Sequence, residues 1–188
     1  MRHLLPPERP IFRVIPSTEW RGAKSPVSLI THKPQRIVVH HSYIPDAAQF
    51  KGAATIKAIY DNHVKTRGFQ DIGYHYLIAP DGSAIYEGRP ADKIGAHCGG
   101  NPPAGVERVF GNTGSIGICL IGNYDEEQPT REALHVLAVL IADLCERWNI
   151  NTAAIFGHCE AWSQPPKTCP GKHLYQALFG VDRWNVIF

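Results

Sequence analysis

Histidine and cysteine are the residue types in this chain that could act together. His40 and His41 close the β-branched run Arg36-Ile37-Val38-Val39. His158 follows the apolar stretch Ala153 to Gly157, and Cys169 sits in the loop-like segment Lys167-Thr168-Cys169-Pro170-Gly171. Two imidazoles, one thiolate and an open position would make a catalytic zinc site. These ligands form no local motif, so they can meet only if the fold gathers them. Neighbouring residues on a strand face opposite ways, so only one of His40 and His41 can point into such a site, and the pattern does not choose between them. Taken singly, the same residues read as polar loop histidines and a buried cysteine.

The elements that must position them are legible as periodicity. Arg36 to His40 reads as a buried strand. Ile56, Ile59, Tyr60, His63 and Val64 recur at helical spacing, with Gly68 as a stop. Tyr74 to Ala79 and Ala84 to Glu87 read as strands joined at Asp81-Gly82, a hairpin signal. A short strand is expected at Lys93 to His97, then a long Gly-, Pro- and Asn-rich loop over 98–114. Ser115 to Ile121 reads as a central strand. Thr130 is placed to cap a long helix whose apolar stripe is Leu134, Leu137, Ala138, Ile141, Leu144, Cys145 and Trp148. Ala153 to Gly157 reads as the strand that delivers His158, and Lys172 to Phe179 as a last helix. Strands mixed with helices predict an α/β fold: one domain with a central mixed sheet flanked by helices. Residues 1–35 are proline-rich and read as an extension packed on a domain spanning 36–188, with Trp20 as its anchor.

Composition bounds the function. A chain of 188 residues suits one domain with a terminal extension. Charged residues are 19% and the formal net charge is +2, too weak a basic balance to argue for nucleic acid. No apolar run approaches the ~20 residues of a membrane span. The N-terminal segment MRHLLPPERPIF has no continuous apolar core, so no secretory signal is read there. The five cysteines are odd in number and irregularly spaced, which argues against a disulfide framework. Cys119 and Cys145 read as core residues, and Cys159 as pointing away from its neighbour His158.

The segments IVVHHS (37–42), DIGYHYLI (71–78), IGAH (94–97), SIGICLIGN (115–123), GHCE (157–160) and KTCPG (167–171) follow one another in this order. Together they resemble the type 2 N-acetylmuramoyl-L-alanine amidases, a family that includes phage amidase lysozymes and animal peptidoglycan recognition proteins. PSTEWRGA (16–23) is similar to the entry segment of the recognition-protein branch. The resemblance implies a recognition-protein/amidase fold and a zinc ion held by His40, His158 and Cys169; the choice of His40 over His41 rests on the family. It implies catalytic roles for Tyr74 and Lys167, and positions near the substrate groove for His97 and Asn112. His41 and His75 are treated as structural neighbours. Zinc lowers the pKa of bound water towards about 7. The oxyanion formed on attack then needs donors, which a tyrosine hydroxyl and an ammonium can provide. Taken alone, Tyr74 reads as a core tyrosine and Lys167 as a solvated lysine. The chain also departs from that family's pattern. The strand SIGICLIG lacks the acid that some recycling amidases use as a base, and the loops 98–114 and 158–169 look expanded.

The function expected is hydrolysis of the lactyl amide between N-acetylmuramic acid and L-alanine in peptidoglycan. The expected setting is a monomeric, bacteriolytic, endolysin-like enzyme made in the cytoplasm and acting on the cell wall. The alternative is a peptidoglycan-binding module without activity.

Overall fold

The computed structural model describes residues 13–26, 28–99, 104–163 and 168–181. Six strands form one sheet: β1 (Arg13–Ile15), β2 (Arg36–His41), β3 (Tyr76–Ile78), β4 (Ala84–Glu87), β5 (Ser115–Leu120) and β6 (Ile155–Gly157). Their spatial order is β1-β4-β3-β5-β2-β6. Only β3 and β4 run antiparallel; the other neighbouring pairs are parallel, so the sheet is mixed, as expected. Among the described residues four α-helices accompany it: α1 (Ser17–Arg21), α2 (Ala53–Asp61), α3 (Arg131–Trp148) and α4 (Lys172–Phe179).

Strand alternation sorts the two cores. On one face Ile37, Val39, Ile116, Ile118 and Leu120 pack with Val136, Leu137, Leu140 and Leu144 of α3. On the other face Leu77, Cys119 and Ile121 pack with Ile56 of α2, Trp20 of α1 and Ile72. Val38 belongs to this second face, beside Phe110 and Ala161. With a side-chain period of two, His40 follows Val38 to the second face and His41 follows Val39 to the α3 face.

Helix α3 starts where expected: the Thr130 hydroxyl accepts from the Ala133 amide at 3.1 Å. Its buried stripe is rotated from the expected one, because Ala133, Val136 and Leu140 are buried while Ala138 is exposed. The helix is apolar around much of its circumference, so contact with the sheet, rather than periodicity alone, selects the stripe. The strand expected over Lys93 to His97 is not formed. Only an isolated bridge joins Lys93 to Thr31, and the segment's amides are used locally or given to loops, as in Ala96 N to Gly73 O.

The segment before β2 is tied into the body. Strand β1 is the sheet edge beside β4. Trp20 is buried and donates its indole N–H to the Glu87 carbonyl at 2.8 Å. Arg21, whose side chain is also buried, makes an ion pair with Asp71. Among the described residues no helix is long and apolar enough to cross a membrane.

Candidate metal centre

Parallel pairing brings the site together. In β2 and β6, Val39 is in register with Gly157, so the two chains leave the sheet side by side carrying His40 and His158. Ligands gather at this edge of open α/β sheets, beyond the carboxyl ends of the strands. The His40 and His158 ring centroids are 4.4 Å apart. Cys169 arrives from the loop before α4, and its Sγ lies 3.7 Å from His40 Nδ1. That loop is pinned at both ends: Asp125 accepts from the Thr168 hydroxyl at 2.6 Å and from the Lys172 amide at 3.1 Å, and the Cys169 carbonyl accepts from the Cys159 amide at 2.6 Å.

His40, His158 and Cys169 each offer a ligand atom within 4.8 Å of the others. A tetrahedral zinc ion, with bonds of roughly 2.0–2.1 Å to nitrogen and 2.3 Å to sulfur, sets those atoms about 3.6 Å apart. The observed separation of Cys169 and His40 fits that span. Burial and the surrounding imidazoles His158, His97, His41 and His75 hold His40 well below the usual histidine pKa. It is therefore neutral, as a ligand must be.

His41 takes the opposite face. Its Nδ1 accepts from the Tyr124 amide at 3.2 Å, and its ring stacks on Tyr124. His75 is fully buried; its Nδ1 accepts from the Gly117 amide and its Nε2 lies 2.8 Å from the Lys93 carbonyl. Tyr74 stands 5.3 Å from His40 between ring centroids. Burial, reinforced by the thiols of Cys119 and Cys169, raises its pKa well above the ordinary value, so Tyr74 is a neutral O–H donor at any physiological pH. Asn112 braces a loop: its side-chain oxygen accepts from the His97 and Cys98 amides at 2.9 and 2.7 Å. His97 is buried behind His40, with its Nδ1 2.9 Å from His40 Nε2. Lys167 lies outside the described residues.

The cluster opens into a cleft of about 820 Å³, lined by His40, His158, Cys169, Tyr74, His97 and Tyr43 among others. An arm of about 580 Å³ continues along α2, past Lys51, Thr55, Asn62 and Pro45. The two share Ser42, Ile44, His63, Arg67 and Tyr74, so they form one bent groove. His63 reaches it because α2 ends in a wider π-type turn over Asn62–Thr66, closed by Arg67 N to Asn62 O. Sequence reasoning missed Asp125, Thr168, Arg67 and His63. No motif marks them, since each is defined by a contact with chain distant in sequence or by a change in helix winding.

The sequence profile described as N-acetylmuramoyl-L-alanine amidase matches residues 30–172. The chain belongs to the N-acetylmuramoyl-L-alanine amidase family. It is 30% identical to peptidoglycan-recognition protein SC1a of Drosophila melanogaster over 92% of this chain and 87% of that protein. Its structure resembles wild-type Drosophila PGRP-LB with a TM-score of 0.71 at 30% identity, covering 88% of this chain and 92% of the other. It also resembles peptidoglycan recognition protein-LE solved in complex with tracheal cytotoxin, a monomeric diaminopimelic acid-type peptidoglycan. There the TM-score is 0.72 at 26% identity, over 90% of this chain and 98% of that one. The fold of this amidase-family member is therefore the recognition-protein/amidase fold.

Proposed function

We propose that this chain is a zinc-dependent amidase that cleaves the lactyl amide between N-acetylmuramic acid and L-alanine in peptidoglycan. The observation that carries this reading is the convergence of His40, His158 and Cys169 at the floor of the groove, with a spacing that suits zinc. A bound zinc ion supplies Lewis-acid chemistry, activating water and polarising a carbonyl. The protein's own residues do the rest. His40 stays neutral at working pH, so its lone pair is available to the metal. Tyr74 keeps its proton and donates a hydrogen bond to the oxygen that gains charge as the amide is attacked. Lys167, two residues before Cys169 in sequence, is assigned a second cationic contact to the same developing charge. The arm along α2 receives the stem peptide, whose carboxylates suit Lys51 and Arg67.

Relatives named for recognition favour a second reading, in which the groove binds muropeptide and cuts nothing. The intact set of metal-capable side chains together with Tyr74 supports the enzyme. The test is digestion of purified peptidoglycan followed by mass analysis. Stem peptides released with free L-alanine amino termini, and lost on chelation, are expected. Tight binding with no release would establish the recognition module instead. Clearing of bacterial suspensions by added protein tests the bacteriolytic role.

A further inference from the structure

His97 lines the cleft beside the candidate metal centre, yet its ring is held mainly from within the protein. It is buried, with 7% of its surface exposed. Its ring occupies a slot made by two glycines: a Cβ on Gly117 or on Gly95 would stand 2.5 Å from ring atoms of His97. Both its nitrogens are engaged. Nε2 lies 3.4 Å from the Ser115 carbonyl, an acceptor only, so the proton of the neutral ring is on Nε2. Nδ1 is then an acceptor, and it faces His40 Nε2 at 2.9 Å. Cys98 Sγ approaches the same nitrogen at 3.3 Å. His40 must therefore carry its own proton on Nε2, which leaves Nδ1, the atom facing Cys169, with a free lone pair.

We propose that His97 is a positioning residue that fixes the tautomer and ring orientation of His40, so that Nδ1 is presented to zinc. The inference rests on the zinc reading above and deepens it. It also separates two groups that both look capable of holding a metal. His40, His97 and Cys98, like His40, His158 and Cys169, offer ligand atoms within 4.8 Å of one another. Two nitrogens on one tetrahedral zinc stand about 3.3 Å apart. The 2.9 Å between His40 and His97 is shorter than that and has the length of a hydrogen bond. The 3.7 Å between Cys169 and His40 in the front group suits two ligands of one metal ion, and the rear contact suits a hydrogen bond that supports it. Outer partners of this kind typically change metal affinity by about 10- to 100-fold when removed.

The test compares wild type, His97→Ala and His97→Asn, each confirmed as folded by thermal unfolding. Asparagine can return an acceptor near the position of Nδ1. Zinc affinity is measured by chelator competition, and the His40 tautomer by nitrogen NMR of the metal-free protein. The expected result is zinc binding weaker by about 10- to 100-fold in His97→Ala, with a mixed tautomer at His40, and recovery of most of that affinity in His97→Asn. Binding of a soluble muropeptide to the zinc-loaded proteins should change by less than about 3-fold, a margin well inside that zinc effect. Unchanged zinc affinity in His97→Ala with weakened muropeptide binding would overturn the proposal and make His97 a substrate contact. Unchanged zinc affinity and unchanged muropeptide binding would overturn it as well. If wild type itself takes up no zinc, the underlying zinc reading fails first, and the proposal falls with it.

Discussion

Cys169 Sγ and His40 Nδ1 lie 3.7 Å apart although 129 positions separate them in the chain. The relationship is produced by the fold: β2 supplies the histidine, and a loop held by Asp125 and by the Cys159 amide supplies the sulfur. Replacing Cys169 by serine keeps the size and the loop contacts but removes the soft thiolate. Zinc content measured by atomic emission should fall from roughly one ion per chain to a small fraction of that, and peptide release should fall with it. Thermal stability of the metal-free protein should change little, because Cys169 is only half-buried. Full zinc content in the serine variant would mean that the metal is held elsewhere.

Tyr74 separates metal binding from catalysis. Its ring stands 5.3 Å from that of His40 between centroids, and its hydroxyl keeps its proton, as a hydrogen-bond donor rather than a ligand does. Tyr74→Phe should leave zinc content unchanged and lower kcat by about 10²- to 10³-fold, the effect of losing one donor to a developing oxyanion. KM should stay within a few-fold. A loss confined to KM would make Tyr74 a binding residue.

The strands from β2 onward and the last helix are legible in apolar runs that are continuous or alternating: β4 and α4 occupy the residues expected, β2 runs one residue longer, and β3 and β6 are shorter than the expected 74–79 and 153–157, while β1 lies in the stretch read as an extension. Lys93 to His97 forms no strand although its residue types suit one, because its amides serve loops around Gly73 and Pro90. The site was half legible. Residue types and the order of motifs point to His40, His158 and Cys169, but the pattern could not decide between His40 and His41. The faces of β2 decide it, since His41 is committed to Tyr124. The position of His97 behind His40 depends on space left by Gly95 and Gly117, and an absent side chain gives no signal in sequence unless the packing is known.

Gly117 supplies a direct check on that packing. It pairs with Val38 in the middle of β5, where any residue could satisfy the backbone, and the space its missing side chain leaves is taken by the His97 ring. Gly117→Ala should cost about 1–3 kcal/mol in urea unfolding, the usual penalty of overpacking. It should also weaken zinc binding, because the His97 ring must move. A variant as stable as wild type would show that the slot is slack.

Acid should destabilise the metal-free protein before its carboxylates titrate. Burial lowers His63 and His75 to about 4, against an ordinary value of 6.5. Above 6.5 both forms of the chain hold these rings neutral, and pH has no effect through them. Between 6.5 and about 4 the unfolded chain takes up protons that the folded chain refuses, so stability falls as pH falls. The slope is at most about 1.4 kcal/mol per pH unit for each ring. Urea midpoints measured in chelator from pH 8 to pH 4.5 should decline only below about 6.5, and His75→Asn should make the decline shallower. A flat profile would mean that these rings take up protons in the folded state as readily as in the unfolded one.

The ion pair between Arg21 and Asp71 joins α1 to the segment that leads into Tyr74, with side chains 3% and 0% exposed. Asp71 also accepts from the Ile72 amide, while its other carboxylate oxygen is buried without a partner. Arg21 in turn lies over the rings of Trp20 and Tyr60. Removing the guanidinium alone strands a buried carboxylate, so Arg21→Met should cost about 3–5 kcal/mol. Adding Asp71→Asn removes the stranded charge while keeping an acceptor for Ile72, and the double variant should recover much of the loss. We propose on this basis that the stretch before β2 is an integral part of the domain's stability. If it were a detachable extension, Arg21→Met would shift the unfolding midpoint by no more than an exposed-residue change does, under about 0.5 kcal/mol.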